Sequence, residues 1–235
     1  MDNVKLNPLK WDNLRASFYD FNTTSGSRVV RWTPTTYYAF WSDLYPDSML
    51  SNQTKAQEAF ASLGYIIANY NGTVPASLLA TGQQWDAPNA WPPHTYIAIK
   101  ALENLPSNIT SASFGNFSNG VLDYNAFISN QTGLAKDQLP KQSIVGTNGM
   151  ADTNLTSAVT SFNQLEHVGQ VTSNASWAEG LAVAIANRYT ASAYCSWYST
   201  GGSIPGLVDQ LSQAQLNATN SMGSSGHVSL VDSAK

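Results

Sequence analysis

Apolar residues recur at helical spacing through most of the first 105 residues and again from about residue 175, and the period is lost in between. The cleanest run is Lys55 to Tyr70. There Ala56, Ala59, Phe60, Leu63, Ile67 and Tyr70 fall on one face of a helix, and Asn71-Gly72 supplies a stop. Upstream, Asn22-Thr23-Thr24-Ser25-Gly26 makes a turn-rich break after Phe18-Tyr19-Asp20-Phe21. Thr33-Pro34 then reads as a helix start, with Thr as the cap and Pro in the first turn. Tyr37, Trp41 and Tyr45 follow at i, i+4 and i+8, which predicts one aromatic helical face that Pro46 ends. Another helix is expected to begin at Pro92-Pro93 and run through Tyr96, Ile97, Ile99, Ala101 and Leu102 until Pro106.

Residues 107–170 are rich in Ser, Thr, Asn and Gly and only weakly periodic. They read as a long surface excursion with short helices at most, such as one near Leu155 to Leu165. Order returns at Trp177. A nearly all-apolar helix is expected from there to about Tyr194, and apolar character all round predicts burial between neighbours. Pro205 to Leu216 reads as a last amphipathic helix, followed by a polar tail from Asn217. No substantial strand pattern interrupts the series, so an all-α domain of paired helices is predicted, with a bundle and a toroid both open.

Composition narrows the setting. Of 235 residues, 43% are hydrophobic and only 11% charged, with seven Trp, eleven Tyr and eight Phe. That aromatic content is foreign to disordered chains, so most of the sequence is expected to fold. The net charge of −4 includes no basic run, which argues against nucleic acid or an anionic membrane as the main partner. No stretch of 18 apolar residues could span a bilayer. Cys195 is the one cysteine, so an internal disulfide framework is excluded, and its aromatic-rich neighbourhood predicts a buried, inert thiol.

Ser, Thr, Asn and Gln take the place of charge. Nine N-x-[ST] sequons occur, at Asn22, Asn52, Asn71, Asn108, Asn116, Asn130, Asn154, Asn174 and Asn217. They point to a secreted, N-glycosylated protein, with an Asn-rich composition as the alternative source of the sequons, yet Met1-Asp2-Asn3-Val4-Lys5 has no apolar signal-peptide core. The simplest expectation is a piece of a longer secreted protein.

The densest chemistry lies at Gly82-Gln83-Gln84-Trp85-Asp86-Ala87-Pro88-Asn89-Ala90-Trp91-Pro92-Pro93. Three prolines stiffen this stretch, so little entropy remains to be lost on binding. Trp faces suit the apolar C–H side of a pyranose, and amides and a carboxylate suit its hydroxyls. Residue chemistry alone leaves this sugar-binding reading even with another, a rigid connector whose Trp residues plug the core and whose Asp86 caps a turn.

The same stretch is similar, position by position, to the second signature of the trehalases of glycoside hydrolase family 37, Q-W-D-x-P-x-[GAV]-W-[PAS]-P. Gln84, Trp85, Asp86, Pro88, Ala90, Trp91, Pro92 and Pro93 satisfy it. Phe18-Tyr19-Asp20-Phe21 looks like the family's aromatic-acidic turn, and Trp32 to Tyr45 resembles the helix after it. Leu78 to Gly82 and Tyr96 to Leu102 resemble the segments on either side of the signature. The resemblance covers roughly residues 6–105 and, loosely, 175–215.

The resemblance implies an (α/α)6 toroid of the six-hairpin glycosidase type, of which residues 1–235 would be one partial catalytic domain. It implies hydrolysis of α,α-trehalose to two glucose molecules with inversion, without a cofactor or metal. Substrate-binding roles would fall to Gln84, Trp85, Asp86, Asn89 and Trp91. Inversion needs a general acid and a general base about 6.5–9.5 Å apart. The family's G-W-D acid motif and E-G-F-G-W-T-N-G-like base motif do not occur here, nor does its first signature, so this chain is expected to be inactive alone. Among local acids, Asp20, Asp43, Asp86, Glu166 and Glu179 come into question. Glu179 sits on an apolar helix, though a solvated or capping role suits it better. His94, His167 and His227 show no metal-ligand spacing. Two alternatives stand beside this reading: a non-catalytic saccharide-binding module, and a different (α/α)6 glycosidase sharing the Q-W-D loop.

Overall fold

The computed structural model describes residues 10–69, 73–79, 81, 83–87, 89–112, 130–134, 138, 144–145, 151–152, 175–199 and 208–209. The chain enters through two small antiparallel pairs. Strand β1 (Trp11–Asp12) faces β2 (Ser17–Phe18), and β3 (Asp20–Asn22) faces β4 (Ser27–Val29). The second pair turns where the sequence is richest in turn formers. Asn22 Oδ1 accepts from the Thr24 and Ser25 amides at 2.9 and 3.1 Å, and Gly26 takes a φ of +65° that a side chain would strain.

Thr33-Pro34 does start a helical segment, a 3-10 turn over Pro34–Tyr37 continuing into α1 (Tyr38–Trp41). The aromatic face expected to reach Tyr45 stops early. Asp43 adopts φ +58°, the Leu44 amide donates to the Ala39 carbonyl at 2.9 Å, and the Asp43 amide donates to Phe40 at 3.1 Å. This pairing is a Schellman closure with Asp in the left-handed position, a residue that tolerates it better than most. Tyr45 is thereby freed from the helix, and its hydroxyl donates to the Asn104 carbonyl at 2.6 Å.

Helix α2 (Asp47–Leu50) is a single turn, and α3 (Gln53–Ala59) follows with Asn52 as its cap, accepting from the Lys55 amide at 3.1 Å. The long helix expected from Lys55 to Tyr70 is divided in two. Phe60 leaves helical geometry (φ −103°, ψ 7°) before α4 (Ala61–Asn69) begins. Ala56, Ala59, Phe60 and Leu63 are buried as their period requires. Tyr70, the Asn71-Gly72 stop and the Ile67 side chain lie outside the described residues.

Helix α5 (Pro92–Glu103) opens on its two prolines as expected and packs against α6 (Trp177–Ser199), which runs farther than its apolar period required. Burial on α6 is one-sided: Trp177, Ala178, Leu181, Ala182 and Ile185 are buried, whereas Glu179 and Thr190 are exposed. Val208–Asp209, inside the expected last helix, instead forms a strand (β8) paired with β5 (Asn89–Ala90). The other described pair is β6 (Ile144–Val145) with β7 (Ala151–Asp152). The expected helix near 155–165, the rest of 205–216, the Cys195 side chain and Asn71, Asn116, Asn154, Asn174 and Asn217 lie outside the described residues. Asn22, Asn52, Asn108 and Asn130 are exposed.

An aromatic cluster unites these elements. Trp11 and Phe18 lie 4.8 Å apart, Phe18 and Phe40 5.3 Å, Phe40 and Phe60 5.3 Å, and Phe60 and Trp177 5.9 Å. Rings packed edge-on or tilted at such spacing add about 0.5–1.5 kcal/mol each beyond their area. Polar groups inside are satisfied by bonds distant in sequence. Buried Gln131 donates to the Arg15 and Glu58 carbonyls at 3.0 and 2.7 Å and accepts from Ser62, and its own carbonyl accepts from Tyr19 at 2.7 Å. The described fold is thus mostly α, with sheets of two strands.

Candidate functional site

The stretch between α4 and α5 carries the signature. Its anchor is apolar: Val74, Ala76, Leu78, Ala87 and Ala90 are buried, so the polar residues between them are carried on a fixed base. Backbone bonds pin it, from the Ala87 amide to Leu79 at 2.8 Å and from the Ala76 amide to Asn89 at 2.8 Å. The Thr73 and Thr95 hydroxyls, 3.0 Å apart and buried, tie its start to α5.

Asp86 organises the tip. One carboxylate oxygen accepts from the Ser77 hydroxyl at 2.5 Å and the other from the Thr81 hydroxyl. The same hydroxyls take the Leu79 and Gln83 amides at 3.1 and 3.2 Å, so one half-buried carboxylate fixes two turns of backbone. Neither Ser77 nor Thr81 was singled out by sequence reasoning. They lie nine and five positions before Asp86 in a loop without periodicity, and no pattern rule pairs them.

The other candidates divide by exposure. Gln84 is exposed, and its carbonyl accepts from the Trp91 indole N–H at 3.3 Å. Trp85 is 56% exposed and stacks on half-buried Trp91 with centroids 4.4 Å apart and planes 16° apart. Asn89 is buried in β5, where its side-chain amide donates to the Gln83 carbonyl at 3.2 Å. The structure therefore brings Gln84, Trp85 and Trp91 together through the indole bond and the ring stack, keeps the next residue, Asp86, half-buried on its two hydroxyls, and buries Asn89.

His94 completes the group and was passed over in the sequence as a scattered histidine. It sits in the first turn of α5, 8% exposed, with its ring 5.7 Å from that of Trp85. Burial pushes its pKa below the ordinary 6.5, which holds the imidazole neutral. Asp20, Asp43 and Glu179 are exposed and stand apart in the chain's hairpin, helix stop and α6 start, and Glu166 lies outside the described residues. No cluster of three metal-ligating side chains occurs among the described residues.

Fold and loop together define a mostly α-helical protein that displays a stacked Trp pair beside a carboxylate and amides. Known proteins match it on that side of the chain. The trehalase family model matches residues 3–116. A trehalase of Pimpla hypochondriaca is 32% identical over 102 residues, 43% of this chain and 17% of the relative. A trehalase of Oryctolagus cuniculus is 28% identical over 106 residues, with the same two shares. A trehalase of Bombyx mori is 50% identical over 42 residues, 18% of this chain and 7% of the relative. The likeness to trehalases thus lies in residues 3–116, and the match spans less than a fifth of the relatives' length.

Proposed function

We propose that this chain supplies part of the sugar-binding wall of an enzyme that hydrolyses α,α-trehalose to two glucose molecules with inversion. The observation that carries the reading is the exposed Trp85 ring stacked on Trp91 beside the Asp86 carboxylate, within the segment that matches trehalases. A stacked indole pair gives a stiff apolar face for a pyranose, and the Gln84 amide adds donors and an acceptor at its edge. Asp86 serves both the loop and the ligand: each carboxylate oxygen has two lone-pair directions, and the Ser77 and Thr81 hydroxyls take one apiece. Asn89 supports the site from below by holding Gln83.

The remaining parts of the proposal follow the family. The helices belong to an (α/α)6 toroid. The acid and the base for inversion come from the G-W-D and E-G-F-G-W-T-N-G-like motifs of the whole protein, since neither motif occurs in these 235 residues. The protein is secreted and carries N-glycans, consistent with exposure of Asn22, Asn52, Asn108 and Asn130.

The test is glucose release from trehalose by the full-length protein. Wild type turns trehalose over with β-glucose as the first product at the inverted centre, and the 235-residue chain alone releases none. Turnover by the isolated chain, or retention of the α configuration, would overturn the assignment.

A further inference from the structure

Next to the Trp85 ring lies a residue with a buried polar atom that has no hydrogen-bond partner among the described residues. His94 Nδ1 is buried and makes no hydrogen bond, although His94 is more than nine-tenths buried and lies in the first turn of a twelve-residue helix. Leaving such a group unpaired is costly, comparable with losing a hydrogen bond outright. The ring neighbour of His94 is Trp85, which is more than half exposed and lies outside the aromatic core, so it can yield to a ligand.

We propose that His94 is a further substrate-contact residue of this site, its imidazole Nδ1 meeting a hydroxyl of a saccharide that docks against Trp85. The inference rests on the sugar-site reading above. A neutral imidazole can donate or accept at Nδ1 according to tautomer, and a sugar hydroxyl can do either, so the pair is complementary in both arrangements. Trp85, whose ring lies 5.7 Å from the imidazole, then flanks the same pyranose. No other ligand class fits as well. A metal lacks companion ligands among the described residues.

The experiment uses the full-length protein with turnover abolished by substituting the Glu of its E-G-F-G-W-T-N-G-like motif, and measures trehalose affinity by calorimetry, and thermal midpoint without sugar, with the native His94 (wild type at this position), His94→Leu and His94→Asn. His94→Leu should bind trehalose about 3- to 10-fold more weakly, the loss of one neutral hydrogen bond. Its midpoint without sugar should be unchanged or higher, because the unpaired nitrogen is gone. His94→Asn, which places a polar atom near the Nδ1 position, should recover affinity to within about 2-fold of wild type. In wild type, the His94 ring nitrogen resonances should move on adding trehalose. If wild type binds trehalose while His94→Leu binds it equally well and the resonances stay still, His94 has no contact role and the sugar site stands without it. If wild type binds no trehalose, the sugar-site reading fails and the His94 role fails with it.

Discussion

Asp86 is the residue on which both readings of the loop converge. The sequence offered it as either a sugar ligand or a turn cap, and the geometry shows the capping bonds to Ser77 and Thr81. Asp86→Ala should remove two charge-assisted bonds, each about 1.5–3 kcal/mol when shielded and less at this half-exposed position. Amide exchange at Leu79 and Ala87 should quicken, while α5 and α6 keep their protection. Unchanged exchange would mean that the carboxylate does not organise the loop. In the full-length enzyme the same change should lower kcat/KM for trehalose, because loop and ligand share the carboxylate. What the sequence could not show was the pairing itself, since Ser77 and Thr81 are ordinary residues in an aperiodic stretch. His94 was obscured differently: a single histidine after two prolines carries no pattern until the fold sets it against Trp85.

Helices and strands were legible in the sequence where local chemistry decides them and not where distant contacts do. Helix α5 was legible because Pro92-Pro93 fixes its start and its apolar period is unbroken. The halt at Ser42–Asp43 and the division at Phe60 were not, because a left-handed Asp and a ring drawn into an aromatic cluster leave no local mark. Gln131 was legible least of all, since its partners Arg15, Glu58 and Ser62 are 116, 73 and 69 positions away. Gln131→Leu should cost about 3 kcal/mol, because it leaves buried carbonyls and a hydroxyl unpaired, and a urea midpoint measures it. Gly133 gives a companion test. Its φ is +67°, and a Cβ there would sit 2.7 Å from the Val30 carbonyl oxygen, whereas Gly26 has a similar φ and open space. Gly133→Ala should therefore destabilise clearly more than Gly26→Ala, where backbone strain acts alone at about 1 kcal/mol. Equal costs would contradict the close approach of residues 130–134 to the strand region.

Among the described residues, buried Asp12 and His94 link the stability of the molecule to acid. Burial raises Asp12, but hydrogen bonds from Arg15 and the charges of Arg15 and Arg28 outweigh it and bring the carboxyl below its ordinary 3.8. Burial lowers His94 below 6.5. In both cases the unfolded chain binds the proton more readily, so stability falls as pH falls. The His94 share is complete above about pH 6.5 and is lost below it, down through the lowered folded value. The Asp12 share is lost below about pH 3.8 in the same way. Thermal midpoints should drop in two stages on acidification, and His94→Leu should flatten the first alone. Whether the Trp85 face is a trehalose wall is tested most directly by removing that one ring. Trp85 is 56% exposed, so Trp85→Ala should leave the fold's thermal midpoint nearly unchanged. The decisive measurement is kcat/KM for trehalose in full-length Trp85→Ala against wild type. A fall of roughly 30-fold or more, the equivalent of about 2 kcal/mol of lost apolar contact, is the predicted result. An unchanged kcat/KM would show that the exposed indole serves no substrate and would contradict the account.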